Sequence, residues 1–209
     1  MNRDHILKVT AEYYGEKVRL HGPTPRGVDW NSESSQVLRF EQLSEAILDS
    51  GAFSLLDYGC GYGALFNYLS QRFGGFEYWG FDVSPTMIET AADILRDCGG
   101  CSFLSDASRL PVVDYVLASG IFNVKLDICA QSWEDHLFVT LDEMNRLSRR
   151  GFGFNCLTMH CDADKMRADL YYADPSLLAA YCLKRFSRRV VLRHDYALHE
   201  FTIIVRKQD

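Results

Sequence analysis

Residues 53–69 read FSLLDYGCGYGALFNYL, and this stretch joins the pattern of a buried strand to the pattern of a helix. The apolar run from Phe53 to Tyr58 is typical of a strand inside a parallel sheet. Apolar residues then recur at helical spacing, and three glycines lie between the two elements: Gly59, Gly61 and Gly63. Glycine permits positive φ angles and leaves the backbone bare, while a helix start directs free N–H groups into the same space. The turn is therefore predicted to bind a ligand that carries a carboxylate group.

Three kinds of glycine-rich loop compete for this turn. A phosphate-binding P-loop needs Lys followed by Ser or Thr after its last glycine, whereas this chain continues with Ala64 and Leu65. The dinucleotide fingerprint G-x-G-x-x-G/A is met by Gly59, Gly61 and Ala64, so it stays an alternative. Asp57 extends the pattern to D-x-G-x-G-x-G. Its carboxylate would attract an ammonium group and repel a pyrophosphate, which favours a cationic ligand.

This turn resembles the first motif of the class I S-adenosylmethionine (SAM)-dependent methyltransferases. The resemblance implies that Asp57 and the glycines wrap the methionine part of SAM. A second predicted strand, FEYWGF at 76–81, ends at Asp82. An acid at that place accepts hydrogen bonds from ribose hydroxyls. The run D-V-S-P-T-M-I from Asp82 resembles the family's second motif, in which Val83 or Met87 would pack on the adenine.

Two further strand ends complete the implied cofactor site. Asp106, with Ala107, follows a predicted strand at 102–104 and resembles the family position that contacts the adenine amino group, although a plain turn acid is the alternative. Ser119 ends a predicted strand at 112–119, where family members carry acceptor-binding or catalytic groups. The N-P-P-Y run of amino-group methylases is absent there. The predicted cofactor-binding residues are Asp57, Gly59, Gly61, Gly63, Asp82, Val83, Met87, Asp106, Ala107 and Ser119.

The order of elements predicts an α/β fold. Strand–helix units are followed by strands at 151–157, 189–193 and 200–206, and the last connection is too short for a parallel crossover. This order matches the Rossmann-like class I methyltransferase fold, with a mostly parallel seven-stranded sheet that ends in an antiparallel hairpin. Residues 1–50 are predicted to form an N-terminal helical arm with a substrate loop, and residues 51–209 the SAM-binding domain.

The arm itself is predicted to hold two helices around a long loop. The first spans 6–20, and the second is capped by Asn31 or Ser32 and runs to about residue 50. The loop at 21–32 contains two prolines and two glycines, and loops of that length are uncommon unless functional or disordered. The arm either covers the cofactor and acceptor or packs on the surface. A further segment, 166–172, is either helix or an ordered loop.

Composition limits the classes of function. The 209 residues carry a net charge of −6, which gives no long-range attraction to nucleic acid or anionic membranes. The chain shows neither a signal-peptide pattern nor a bilayer-spanning run, and its seven cysteines are an odd number. Free thiols in the reducing cytoplasm are therefore expected. Cys98 and Cys101 form one C-x-x-C without a second pair, so no metal site is predicted.

Methyl transfer from SAM needs an oriented nucleophile and, for some acceptors, a group that removes a proton. Histidine is the usual proton acceptor, and three candidates are assigned to this role: His194 and His160 at strand ends, and His21 in the long loop. His136 is assigned to an exposed helix face. Candidates to bind an anionic acceptor or the cofactor carboxylate are Arg26, Arg39 and Arg167.

The resulting hypothesis is a SAM-dependent methyltransferase that moves a methyl group to an oxygen or nitrogen of a small-molecule acceptor and releases S-adenosylhomocysteine (SAH). Neither a nucleic acid nor a membrane is expected as a partner. Two alternatives stay open: an NAD(P)-dependent oxidoreductase, and a non-catalytic SAM-binding or regulatory module.

Overall fold

A computed structural model describes residues 2–48 and 51–207, which form one α/β sheet structure with an N-terminal helical arm. The helices in this part of the chain are α1 (Arg3–His21), α2 (Glu33–Ser44), α3 (Ala64–Ser70), α4 (Pro85–Ile94), α5 (Ala130–Leu147) and α6 (Pro175–Arg185). The strands are β1 (Ser54–Tyr58), β2 (Glu77–Phe81), β3 (Cys101–Leu104), β4 (Val113–Ala118), β5 (Ser148–Thr158), β6 (Tyr172–Ala173), β7 (Arg189–Arg193) and β8 (Glu200–Arg206).

The strands lie in the order β3-β2-β1-β4-β5-β8-β7. The first five pair in parallel, and β8 is antiparallel to both β5 and β7. This confirms the predicted mostly parallel sheet with an antiparallel end. One strand was not predicted: β6 begins at Tyr172, the last residue of the segment 166–172, and extends the sheet by pairing with the end of β5. The rest of that segment is a loop and not a helix. The carboxyl ends of β1, β2 and β4 therefore meet at one edge of the sheet.

Strand β1 is buried on both faces, which explains its uninterrupted apolar sequence. Leu55 packs in a cluster with α2 and α3, whereas Leu56 packs in a second cluster with α5 and α6. Both side chains have a relative exposure of 0%. The sheet is thus covered by a helical layer on each side, and its ligand-binding edge is left to the segments that follow the strands.

The N-terminal arm forms the two predicted helices, with a short 3-10 turn from Pro25 to Val28 inside the predicted loop. The Oγ of Ser32 accepts a hydrogen bond from the N–H of Ser35, so Ser32 is the residue that caps α2. Helix α2 ends at Ser44. Beyond it, the N–H groups of Ala46 and Ile47 donate to the carbonyl oxygens of Leu43 and Ser44, three residues back, instead of continuing the α-helical pattern. The predicted end near residue 50 lies outside the described residues. Of the described helices, none combines the length and apolarity needed to cross a bilayer.

Candidate functional site

A crevice lies at the carboxyl ends of β1, β2 and β4, and the N-terminal arm forms its roof. The sheet side contributes the glycine turn after β1, the acid after β2 and the serine after β4. Helix α1 contributes Leu7, Thr10 and Tyr14, and the segment that follows it contributes Val28 and Trp30. Helix α5 closes a third side. The arm therefore lies over the edge at which an α/β sheet binds its ligands.

The glycine turn is held to the end of the neighbouring strand by backbone hydrogen bonds. The N–H groups of Gly59 and Cys60 donate to the carbonyl oxygen of Phe81 at 2.7 and 2.8 Å. Gly59, Gly61 and Gly63 have φ angles of 87°, 53° and 83°, a region that favours glycine. Gly59 and Gly61 line the crevice. Gly63 does not line it. A Cβ atom at Gly63 would meet the Leu95 side chain at 2.8 Å, so glycine at this position leaves room for Leu95 to pack.

Two buried carboxyl groups face the same crevice. An oxygen of Asp57 accepts a hydrogen bond from the Tyr78 hydroxyl at 2.6 Å. Burial raises the pKa of Asp57 to about 7; the Tyr78 hydrogen bond opposes this rise, and the nearby Asp82 adds to it. Burial also raises the pKa of Asp82 to about 6, against the effect of two backbone hydrogen bonds. Two acids in one desolvated space favour a ligand that brings positive charge.

Asp82 is the residue that joins β2 to the glycine turn. Its carboxylate accepts from the N–H of Ser84 at 2.8 Å and from the N–H of Gly61 at 3.0 Å. Ser84 in turn caps α4, which begins at Pro85. This arrangement leaves acceptor capacity on the carboxylate for hydroxyl groups of a ligand.

The crevice lining includes most of the predicted cofactor residues but not all. Those that line it are Asp57, Gly59, Gly61, Asp82, Val83, Met87 and Ser119. Asp106 and Ala107 lie outside the lining. Asp106 is exposed and accepts from the N–H and the Oγ of Ser108 at 2.9 and 2.7 Å, and these bonds lower the pKa of its carboxyl group. Asp106 therefore caps the 3-10 turn Ala107–Arg109, as a plain turn acid would.

The three histidines predicted as bases also lie outside the lining. His160 follows β5 and His194 follows β7, and both are exposed. Their ring centroids are 6.2 Å apart, so the structure brings these two together. His21 is the exposed last residue of α1. Their catalytic role stays a prediction, for which the crevice supplies no contact.

His136 was assigned to an exposed helix face, and this prediction is wrong. Its side chain lines the crevice from α5, and its Nδ1 is buried without a hydrogen-bond partner among the described residues. Burial lowers the pKa of His136 to about 4, and the positive charge of Arg3 acts in the same direction. The imidazole is therefore neutral at physiological pH. His136 lies three residues after Trp133 and four residues before Thr140, and both of these are buried. This helical spacing is the sequence signal that places His136 on the inner face of α5.

The roof of the crevice is fixed by a buried ion pair on its β4 side. Arg39 donates to both carboxylate oxygens of Glu200, at 2.6 and 2.8 Å, and its guanidinium lies 3.8 Å from the ring centroid of Trp30. Asn155 donates to Glu200 at 2.6 Å and accepts from the N–H of Gly120 at 2.7 Å. The network thus connects α2, β5 and β8 to the loop after β4, and Trp30 lies against that loop.

The arginines predicted to bind an anionic group have other surroundings. Arg39 is committed to Glu200, and Arg167 pairs with Asp169 on the surface. Arg26 is exposed in the 3-10 turn. The lining contributed by the described residues contains no Lys or Arg side chain. Its ionisable acids and neutral imidazole suit a cationic or neutral ligand.

An amino-acid-bearing nucleoside such as SAM fits these groups. Asp57 and Asp82 supply the negative charge that an ammonium or sulfonium group needs, and Asp82 has free acceptor capacity for ribose hydroxyls. Two buried polar atoms of the lining, Ser119 Oγ and His136 Nδ1, have no partner within the described chain. A pyrophosphate would be repelled by the two acids, which is unfavourable to the dinucleotide alternative.

Comparisons with known proteins agree with this chemistry. The family model described as "Methyltransferase domain" matches residues 55–151. Rv1506c of Mycobacterium tuberculosis, provisionally named a methyltransferase, is 51% identical over 155 residues, which cover 74% of this chain and 93% of the relative.

Solved structures show the same fold at low sequence identity. The N-methyltransferase NodS from Bradyrhizobium japonicum WM9, in complex with SAH, has a TM-score of 0.67 and 17% identity, over 96% of this chain and 99% of its own. The magnesium protoporphyrin IX methyltransferase ChlM from Synechocystis PCC 6803, with bound SAM, has a TM-score of 0.66 and 13% identity, over 99% and 98%. Together with the closely matching Mycobacterium relative, these findings show that the chain belongs to the class I SAM-dependent methyltransferases, with SAM as its cofactor.

Proposed function

We propose that this methyltransferase acts on an oxygen or nitrogen of a small, uncharged acceptor in the cytoplasm. The observation that carries the proposal is the lining of the crevice. Among the described residues it offers aromatic and apolar side chains, two acids and a neutral imidazole, but no basic side chain. An anionic acceptor would find no counter-charge there, and two buried carboxyl groups would repel it.

The covered form of the crevice supports a small acceptor. Helix α1 crosses above the strand ends, and Arg3 at its start forms an ion pair of 2.8 Å with Glu143 of α5. Toward its other end, Arg19 donates to the hydroxyl of Thr86 on α4 at 3.0 Å. A polymer would have to displace this helix from both sides before it reached the cofactor. A small molecule needs only a gap in the roof.

The β4 side of the crevice is the proposed acceptor side. Asp57 lies in β1 and Asp82 directly follows β2, so the cofactor is assigned to those strand ends. The loop after β4 is the neighbour of β1 in the sheet. There Trp30 lies against Gly120, and the unpartnered Ser119 Oγ faces the crevice. An aromatic wall with one hydroxyl suits a flat or apolar acceptor that carries a single polar group.

Basic clusters lie away from this edge, which supports an acceptor other than nucleic acid. Arg149 and Arg150 lie at the start of β5, and Arg189 starts β7. Strand β5 is parallel to β4, so its start lies at the edge opposite the crevice. Positive charge there cannot guide a phosphate backbone to the cofactor.

The seven cysteines support the cytoplasmic assignment. All seven are free thiols in this structure, and Cys60, Cys156 and Cys182 are buried. A secreted domain of this composition would be expected to use some of them in disulfides. The reducing cytoplasm keeps such thiols unpaired.

A transfer experiment tests the proposed acceptor class. The protein is incubated with SAM labelled in its methyl group and with a cell extract that is then separated into small molecules, nucleic acid and protein. Label is expected in the small-molecule fraction, chiefly in uncharged compounds, which an anion-exchange column does not retain. The D82A variant is the control, because its weaker cofactor binding should reduce the signal when SAM is limiting. Label in RNA, DNA or protein, or only in anionic metabolites, would contradict the proposal.

A further inference from the structure

Helix α5 lies on the β4 side of the crevice, where it packs against strands β4 and β5. Near its start, the Nε1–H of Trp133 donates to the carbonyl oxygen of Phe122, in the loop after β4, at 2.9 Å. His136 follows three residues later, with its ring centroid 5.6 Å from that of Trp133, and both side chains line the crevice. The imidazole of His136 therefore belongs to the proposed acceptor side.

The end of β1 faces the same surface of α5. His136, Thr140 and Glu143 follow one another at helical spacing. The hydroxyl of Tyr58, the last residue of β1, donates to Glu143 at 3.0 Å. Helix α5 connects β4 to the parallel strand β5, so it runs back from the crevice edge, and His136 lies closer to that edge than Glu143 does. The imidazole thus lies between the end of β1, to which the amino-acid part of the cofactor is assigned, and the loop after β4.

The neighbours of the imidazole on α5 are committed to other hydrogen bonds. The Thr140 hydroxyl donates to the backbone carbonyl oxygen of His136 at 2.9 Å. Glu143 accepts from Arg3 at 2.8 Å as well as from Tyr58. The Nδ1 atom of His136 is buried and has no partner within the described chain. Buried polar atoms are normally paired, so an unpaired one beside a ligand crevice indicates a group of the ligand.

The basicity of the imidazole selects the kind of group. Burial and the charge of Arg3 lower the pKa of His136 to about 4, against the effect of Glu143. The ring is therefore neutral and offers one nitrogen as an acceptor. It is too weak a base to deprotonate an aliphatic ammonium group, whose pKa is about 10. A hydroxyl oxygen that is gaining a methyl group is a far stronger acid than imidazolium, so even a weak base takes its proton.

We propose that His136 is a catalytic residue that takes the proton of a hydroxyl group on the acceptor, which narrows the acceptor class to hydroxyl compounds. A lone pair of the oxygen forms the bond to the methyl carbon, the electrons of the carbon–sulfur bond stay on sulfur, and the hydroxyl proton passes to the imidazole. One positive charge leaves the cofactor as another arises on His136, so the net charge beside Asp57 and Asp82 is kept. The proton then passes to solvent. This inference rests on the proposed function and deepens it.

The product formed by the wild type tests the acceptor group. The protein is incubated with SAM carrying a ¹³C-methyl group and with the small-molecule fraction of a cell extract. The carbon resonance of the transferred methyl group distinguishes an O-methyl from an N-methyl product. O-methyl products are expected. N-methyl products alone would overturn this inference and leave the proposed function intact, whereas transfer only to nucleic acid or protein would overturn both.

Three variants test His136 with the same fraction as acceptor and with saturating SAM. Turnover should fall by about 10²–10⁴-fold in H136A, and added imidazole should restore part of it because it can occupy the vacated space. H136Q keeps a polar side chain but takes no proton, so it should be about as slow as H136A. The matched control, H5A, removes an exposed histidine of α1 outside the crevice lining and should keep wild-type turnover.

Calorimetric titration with SAH gives a readout that is separate from turnover. All three variants should keep the wild-type affinity, because the inference places the imidazole against the acceptor. Wild-type turnover in H136A would overturn the inference, as would a loss that imidazole does not restore although SAH still binds. Loss of SAH binding in H136Q would place the imidazole at the cofactor and would overturn it as well.

Discussion

The carboxylate of Asp82 accepts a hydrogen bond from the backbone N–H of Gly61 at 3.0 Å, so the acid that ends β2 also holds the glycine turn after β1. The second bond of this carboxylate, from the N–H of Ser84, fixes the start of α4. One side chain therefore positions three elements of the cofactor crevice. Ligand binding and local order are coupled at this point.

Replacing Asp82 by Ala should weaken SAH binding by about 1–3 kcal/mol, because charge-assisted hydrogen bonds to the ribose are lost. Calorimetric titration measures the change. The control is D106A, which removes an exposed acid outside the crevice lining and should leave SAH affinity unchanged. If D106A weakened SAH binding as much as D82A, Asp106 would contact the cofactor and the assignment of this site would need revision.

The two buried acids make cofactor binding depend on pH. In the ligand-free protein the pKa of Asp57 is raised to about 7 and that of Asp82 to about 6, both chiefly by burial. Protonated carboxyl groups lose their attraction for the ammonium and sulfonium groups of SAM, so binding should release protons. SAM affinity should rise as the pH increases from about 5 to about 8. Titration in buffers of different ionisation enthalpy counts the protons, and D57N should release fewer. Proton uptake would contradict the account.

The same shifts fix the sign of a stability effect. A carboxyl group with a raised pKa in the folded state keeps a proton that the unfolded chain, with a pKa near 3.8, has released. Its contribution to the free energy of unfolding is full below the unfolded pKa and is lost as the pH rises through the folded value. D57N should therefore reduce the loss of ligand-free stability between about pH 4 and pH 7. Urea unfolding across this range measures it.

The contact between Gly120 and Trp30 predicts a strong effect of one methyl group. Gly120 has a φ of 74°, and a Cβ atom there would lie 2.2 Å from the indole ring. G120A should lower the free energy of unfolding by about 1–3 kcal/mol through strain and displacement of Trp30. Gly99 is the control, because a Cβ there meets nothing within 4 Å, and G99A should be near neutral. Equal effects of the two changes in thermal unfolding would argue against this packing.

The buried pair of Arg39 and Glu200 predicts a loss of both stability and turnover. E200Q leaves the Arg39 charge buried and uncompensated, so the free energy of unfolding should fall by about 3–5 kcal/mol. Turnover should fall as well, because Glu200 orders Asn155, which holds the N–H of Gly120. E45Q breaks a more exposed pair with Arg193 and should cost about 0–1 kcal/mol. A similar cost for both variants would show that the buried network is not important for stability.

The features predicted from sequence are those set by local pattern. The apolar run before Asp57 and the positive φ angles of the glycines depend on neighbouring residues, so the turn and its strand could be predicted. Strand β6, which was not predicted, is only two residues long and depends on pairing with β5, which no local pattern encodes. The local spacing of His136 from the buried Trp133 and Thr140 already indicates the inner face of α5, and the assignment to an exposed face overlooks this signal. Asp106 follows its strand as expected, but Ser108 competes for its carboxylate.

We expect SAM to bind at the edge formed by β1, β2 and β4, with its ribose at Asp82. A crystal structure of the protein with SAH tests this placement of the cofactor. We expect the ribose hydroxyls within hydrogen-bond distance of the Asp82 carboxylate, with the amino-acid part against Gly59 and Gly61. A structure in which SAH lies elsewhere, or in which the arm fills the crevice and SAH is excluded, would contradict it.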